Sequence, residues 1–285
     1  MTNLNLTDML KTVEAVARDA GSLLHTAYYQ PRQIHYKGEV NLVTQTDLDT
    51  EKTIVEALRG QYPDIAIQAE EGSAEQGTDN LIWLIDPLDG TTNFAHGYPV
   101  FVVSIALYDD SMPLLSVVYD PMQDELFSAA KGSGATLNGD PIQVGGAGDL
   151  MHSLVATGFA YDRHEAADNN IIAVSRFLRT TQGIRRGGAA ALDLAYVACG
   201  RLDGFWEMKL HPWDIAAGRL LVTEAGGIVT TYAGQPDDDK VSQAKSIVAA
   251  NGPVHRAMLD VLASVYDFTP DGSFTLKKRY RDLAL

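Results

Sequence analysis

The sequence predicts a mixed fold in two consecutive halves, an α+β layer followed by a stretch in which helices and strands alternate. Three observations carry this. Two helical periodicities open the chain, short apolar runs broken by Gly, Asp and Pro follow, and the pattern changes beyond glycines 145, 146 and 148. The expected division is therefore 1–146 for the first half, 147–266 for the second, and a tail, 267–285, carrying Lys277, Lys278, Arg279 and Arg281. At 285 residues, either one large domain or two closely packed ones would bury a sizeable core.

Leu10, Val13, Ala17 and Leu24 recur at helical spacing from Asp8 onward, and Pro31 closes the stretch, which predicts a long amphipathic first helix. A second helix is expected with Thr46 as N-cap, Ile54, Val55 and Leu58 on its apolar face, and Gly60 as its stop. Strands are expected at Ile65 to Gln68, Leu81 to Ile85, Phe101 to Tyr108, Leu114 to Tyr119 and Leu126 to Ala129. In the second half, helices are read near Asp168 to Leu178, Ala189 to Ala198, Asp214 to Ala225 and Val254 to Val265. Strands near Leu154 to Thr157, Gly204 to Glu207, Ile228 to Thr231 and Ser246 to Ala249 lie between them. Asp237, Asp238 and Asp239 read as a solvated acidic turn.

Composition narrows the function. With 22 Lys+Arg against 37 Asp+Glu, the formal charge is −15, which opposes nucleic acid and anionic membranes over most of the surface. An anionic substrate would need local help, and metal cations in a carboxylate cluster supply it by reversing the field at one spot. Cys199 is the only cysteine, so no intramolecular disulfide and no thiolate zinc cluster can form, and its apolar neighbours suggest a small buried residue. The opening MTNLNLTDML lacks the order of a secretory signal. The longest apolar-rich stretch, Val100 to Leu107, falls far below the ~20 residues of a membrane span, so a cytoplasmic protein is expected.

Chemistry concentrates in Trp83-Leu84-Ile85-Asp86-Pro87-Leu88-Asp89-Gly90-Thr91-Thr92-Asn93. An apolar strand delivers Asp86 at its end, Pro87 fixes the backbone, and Asp89 returns three residues later in a tight turn. Oxygen-only ligands of this kind suit hard cations such as Mg2+. Gly90 and Thr91 then offer backbone N–H groups to a phosphate. Three further acids stand at comparable places: Glu70 beside Glu71 beyond a short strand, Asp214 in Trp213-Asp214-Ile215-Ala216-Ala217-Gly218 at a helix opening, and Asp47 beside another helix start. Each alone has a bland reading, as a solvated acid or one complementing a helix dipole.

Taken together and in order, these segments resemble the inositol monophosphatase family, within the lithium-sensitive phosphatases that include fructose-1,6-bisphosphatase. The likeness spans roughly Leu10 to Leu262, with Asp86 to Asn93 similar to the family's first signature and Trp213 to Gly218 to its second. The resemblance implies a layered αβαβα sandwich of α/β and α+β character, commonly a homodimer. It implies that Glu70, Asp86 and the Leu88 carbonyl hold one Mg2+, that Asp86, Asp89 and Asp214 hold a second, and that a third, weaker ion sits near Glu70. Asp47 and Thr91 would orient and activate the attacking water, with Glu70 beside them, while the Gly90 and Thr91 N–H groups receive the phosphate. Gly188, Ala189, Ala190 and Glu207, with Asp214, match positions lining the polyol site. Ala189 stands where many relatives carry Ser or Thr, so one hydroxyl that could touch substrate is missing.

The expected activity is Mg2+-dependent hydrolysis of a small phosphate monoester, myo-inositol 1-phosphate above all, by direct attack of water. The alternatives are a broader sugar-phosphate phosphatase and a protein of this fold with a partner in the transcription machinery. Direct attack follows from the ligands, since the chain offers no Cys or His motif suited to a phosphoenzyme. Lys37, Arg185 and Arg186 are further candidates for the pocket, whereas His96 and His211 are read as neutral or structural.

Overall fold

Side chains alternating across two sheets, with apolar helix faces covering them, build five layers in the computed structural model. It describes residues 5–31, 34–36, 42–78, 80–110, 112–166, 168–236 and 246–283; Lys37 and Asp237 to Asp239 lie outside these.

Helix α1 (Leu6–Tyr28) starts at Asn5, whose side chain accepts the Asp8 N–H at 3.3 Å. Its buried face is Met9, Val13, Val16, Ala17, Ala20 and Leu24, a stripe at helical spacing. Strands β1 (Ile34–Tyr36) and β2 (Leu42–Thr44) form a two-stranded ribbon that feeds α2 (Gln45–Gln61). The cap of α2 is Thr44 rather than the expected Thr46. Asp47, at the third helical position, reaches back to the Thr44 N–H at 2.9 Å, so the helix begins two residues earlier. Nor does Gly60 end it, because the Tyr62 N–H still bonds the Leu58 carbonyl at 2.7 Å.

The first sheet collects β3 (Ala66–Ala69), β4 (Ala74–Glu75), β5 (Leu81–Asp89), β6 (Val102–Asp109), β7 (Met112–Asp120), β8 (Glu125–Ala130), β9 (Ala135–Leu137) and β10 (Asp140–Ile142), with the short helix α3 (Thr91–His96) after β5. Its order is β10-β9-β8-β7-β6-β5-β3-β4, antiparallel throughout except where β3 meets β5. The second half supplies β11 (Leu154–Thr157), α4 (Ile171–Phe177), β12 (Gly183–Arg185), α5 (Ala190–Ala198), β13 (Gly204–Met208), α6 (Pro212–Glu224), β14 (Ile228–Thr230), β15 (Ser246–Ala250) and α7 (Gly252–Val265). These strands pair in the order β12-β11-β13-β15-β14. A hairpin, β16 (Tyr266–Phe268) with β17 (Phe274–Leu276), and a 3-10 helix, Lys278–Leu283, complete the chain. Strands of three residues or fewer, such as β4 and β12, escape a periodicity reading because they are too short to show alternation.

The layers follow from which neighbour each residue faces. Trp83 and Ile85 point to α1 and α2, while Leu84 between them points to α5 and α6. Beyond α5 and α6 lies the second sheet, which sends Phe205 to that side and Trp206 to the other, against α4 and α7. Helices α5 and α6 are thus covered on both sides, which is why Ala190 to Ala198 is apolar nearly all round. One apolar cluster joins residues of both halves across these central helices, and buried Leu276 and Tyr280 dock the tail onto the outer layer.

Candidate active site

The site begins with an irregularity at the end of β5. Residues three apart on a regular strand point to opposite faces, so Asp86 and Asp89 would diverge if β5 were unbroken. Asp86 pairs with Ser104 and Asp89 with Val102, which leaves one extra residue on β5. This bulge brings both acids to one cavity, and Pro87 sits within it, where no ladder donor is needed. Asp86 Oδ1 accepts the Leu88 N–H at 3.0 Å. Gly90 follows at φ +98°, where a Cβ would stand 2.8 Å from the Val100 carbonyl, so glycine is required before α3 can start at Thr91.

Three helix starts meet this turn. From α2, buried Asp47 accepts the Thr91 hydroxyl at 3.0 Å, and that hydroxyl lies equally close to the Leu88 carbonyl. From α5, the Ala191 N–H donates to Asp89 Oδ2 at 2.7 Å; Ala189, in the cap position, has no side chain to cap the helix, so Asp89 does so from 102 residues away. From α6, Asp214 accepts the His211 N–H at 2.7 Å. Asn93 fastens the arrangement by donating to the Val100 carbonyl at 2.7 Å and the Gly187 carbonyl at 2.8 Å. The positive ends of α5 and α6 thereby abut the cavity.

The cavity, about 390 Å3, is lined by six carboxylates, Glu70, Asp86, Asp89, Asp193, Glu207 and Asp214, against two arginines, Arg163 and Arg186. Burial pushes the Asp86 carboxyl well above the usual range, and repulsion from Glu70, Asp89 and Asp214 adds to it. Asp89 is pushed up to about 7 by burial and by Asp214, opposed by the N–H groups of Ala191, Ala190 and Leu192. Asp214 is likewise raised to about 7 by burial, with the His211 N–H opposing. Burial also raises Asp47, Asp193 and Glu207.

Among the described residues no three His, Cys, Asp or Glu side chains stand in ready-made ligating geometry. The donor chemistry nonetheless fits a hard cation. The acids that converge are oxygen donors, they are short of countercharge, and their mutual repulsion is what a divalent ion relieves. Glu70, Asp86, Leu88, Asp89 and Asp214 all line the cavity, so the residues proposed to hold metal share one space.

Gly90, Thr91, Gly188, Ala189, Ala190 and Glu207 line it too, as do Arg186 and His211, whose ring stacks on Trp213 at 5.0 Å between centroids. Asp47 stands behind Thr91 rather than in the wall. Arg185 and His96 are not in the lining, and Cys199, half-buried with its thiol raised by burial, lies elsewhere on α5's far end. The sequence reading missed Arg163, Tyr161 and Asp193. Asp193 had a signal, a lone acid inside the apolar run Ala-Ala-Leu-Asp-Leu-Ala. The loop bearing Tyr161 and Arg163 had none, since its anchor is tertiary: Asn170 donates to Thr157 Oγ1 and the Gly158 carbonyl, both at 2.8 Å, and receives the Trp206 indole N–H at 2.9 Å.

The profile of the Inositol monophosphatase family matches residues 5–267. A Synechocystis inositol-1-monophosphatase is 47% identical over 247 residues, covering 86% of this chain and 85% of that protein. The Nus factor SuhB of Escherichia coli K12 is 44% identical over 254 residues, covering 88% and 94%. Among solved structures, inositol monophosphatase from Anabaena (Nostoc) sp. PCC 7120 superposes with a TM-score of 0.82 at 42% identity, covering 92% of this chain and 98% of that one.

Proposed function

The chain belongs to the inositol monophosphatase family, and from that premise we propose that it hydrolyses phosphate monoesters, myo-inositol 1-phosphate first among them, with Mg2+ as cofactor. The observation that carries this is the convergence of Glu70, Asp86, Asp89 and Asp214 in one cavity beside the ends of α5 and α6. These acids and the Leu88 carbonyl would hold two or three Mg2+ ions. When bound, the ions supply positive charge that offsets the repulsion between a phosphate and its nucleophile, and they acidify a water.

The chain's own residues do the rest. A water donating to Thr91 Oγ1 passes its proton along a two-member chain to Asp47, 3.0 Å from that hydroxyl, whose carboxyl burial raises toward the range in which it takes up a proton. The N–H groups of Gly90 and Thr91 receive the phosphate. Glu207, buried and raised, accepts hydroxyls of the leaving group, and the backbone of Gly188 to Ala190 shapes the wall against which its ring sits. No covalent phosphoenzyme is required. The assembly is a homodimer in this reading, which sedimentation would test.

The deciding experiment compares kcat/KM with Mg2+ for inositol 1-phosphate, fructose 1,6-bisphosphate, glycerol 2-phosphate, histidinol phosphate and 3′-phosphoadenosine 5′-phosphate. Inositol 1-phosphate should lead. A lead of more than about tenfold for fructose 1,6-bisphosphate would move the assignment to a sugar-phosphate phosphatase, and hydrolysis of none would overturn the enzyme reading. Similarity to proteins named Nus factor SuhB supports a second role, binding to transcription machinery, which a stoichiometric polymerase complex purified on this chain would establish.

A further inference from the structure

Helix α2 contributes a second buried acid that the chemistry above does not use. Glu51 lies one turn beyond Asp47 on the same face of α2 and is 4% exposed. Its carboxylate points at backbone: Oε2 accepts the Glu71 N–H at 2.7 Å and Oε1 the Ser73 N–H at 3.0 Å. The segment it grips, 70–73, is the turn between β3 and β4, closed by the Ala69 N–H on the Ser73 carbonyl at 2.9 Å. On the other side the Glu70 N–H donates to the Ile85 carbonyl at 3.1 Å, one residue before Asp86. Glu70 is therefore pinned between the strand that carries Asp86 and the helix that carries Asp47.

We propose that Glu51 is a positioning residue that fixes Glu70 as a cation ligand and holds it in register with the Asp47–Thr91 pair. The inference rests on the phosphatase reading of the site. A two-pronged, charge-assisted grip on two N–H groups of one turn leaves that turn little freedom, and the rigid helix between Asp47 and Glu51 makes the two attachments move as one. A buried carboxylate whose only role was packing would not need both oxygens aimed at the residues that flank a ligand. Residues that orient ligands in this way commonly change cation affinity by about tenfold to a hundredfold when altered.

The test is Glu51→Gln in the full chain. Gln keeps the shape and one acceptor but turns an amide NH2 toward one of the two N–H donors, loosening the grip at that end. Calorimetric titration with Mg2+, and with Mn2+ read by electron paramagnetic resonance, should show the cation dissociation constant rising about tenfold to a hundredfold. In steady state the Mg2+ concentration for half-maximal activity should rise alike, while kcat at saturating Mg2+ stays within about threefold. Gly72→Ala reaches the same turn without touching α2: Gly72 sits at φ +117° with open space around it, so alanine strains the turn without a clash, and its cation affinity should fall too. This second variant decides the matter if Glu51→Gln does not fold. Cation affinities within about twofold of wild type in the variants that fold, whatever their melting temperatures, would overturn the inference. A wild-type protein that binds neither Mg2+ nor Mn2+ would instead overturn the reading on which it rests.

Discussion

Asp89→Asn separates the cost of the acid cluster from its use. In the folded protein the Asp89 carboxyl is raised from its ordinary 3.8 to about 7, by burial first and by Asp214 next. At 1.36 kcal/mol per pH unit, that displacement would correspond to about 4 kcal/mol for a fully buried group. Asp89 is only half-buried, so solvent screening brings the figure to about 2 kcal/mol. A carboxyl raised on folding binds more protons in the folded than in the unfolded state between about pH 4 and 7. The metal-free fold therefore loses stability as pH rises through that window, and the full penalty is present above pH 7. Asn is neutral at every pH, keeps the volume, and retains an oxygen for the Ala191 N–H that Asp89 now accepts at 2.7 Å. In excess EDTA at pH 8 the variant should melt about 4 to 8 °C above wild type, and the gap should shrink to less than half by about pH 5 and close toward zero by about pH 4. With Mg2+ the order should invert, since wild type gains a bound cation that the variant holds poorly, and kcat should fall by more than about a hundredfold. Scanning calorimetry across pH 4 to 8, with and without Mg2+, checks each arm. A metal-free melting temperature that does not rise at pH 8, or a gap independent of pH, would show that Asp89 carries no electrostatic penalty and that the reasoning fails.

Activity on inositol 1-phosphate should vanish in EDTA, return with Mg2+, and be inhibited by Li+ if the family likeness extends to the cation site; full turnover in EDTA would exclude the metal assignment. Apparent Mg2+ affinity should weaken about tenfold to a hundredfold per pH unit below 7, as one or both protons on Asp89 and Asp214 compete with the cation, and affinity unchanged from pH 8 to 5.5 in titration calorimetry would contradict the raised carboxyls. Glu207→Gln should cost about tenfold to a hundredfold in kcat/KM for inositol 1-phosphate, the value of a hydrogen bond to a charged group, and much less for glycerol 2-phosphate; equal losses would mean that Glu207 supports the site generally. Thr44→Ala removes the hydroxyl that donates to Asp47 Oδ2 at 2.5 Å, so it should cost about 1 kcal/mol in urea unfolding and lower kcat with Mg2+ affinity unchanged; an unaltered kcat would detach Asp47 from the reaction.

Local chemistry accounts for the features that could be read along the chain. Asp86-Pro-Leu-Asp-Gly-Thr-Thr carries the acids, a left-handed glycine and a helix start within a few residues, and Pro212 with Asp214 encodes the opening of α6, so the acids were legible before any fold was known, although β5 runs on through a bulge to Asp89 where a strand end at Ile85 and a tight turn were expected. The two long amphipathic helices and the main strands were legible for the same reason, since burial on one face writes a period into the chain. Boundaries slipped where a side chain reached outside the run, as Asp47 did in moving the cap of α2 to Thr44. Packing across the layers is what shows that Asp89 caps α5, that Asn93 holds Gly187, that Asp193 turns into the cavity, and that Glu51 grips the turn after Glu70. Each of these joins residues about 20 to 100 positions apart, or depends on which face of a helix a neighbouring layer covers. A hydrogen bond across layers leaves no period in the sequence, so the acids could be named from the chain alone, while the partners that aim them appear only once five layers bring the starts of α5 and α6 to one cavity, with the start of α2 behind Thr91.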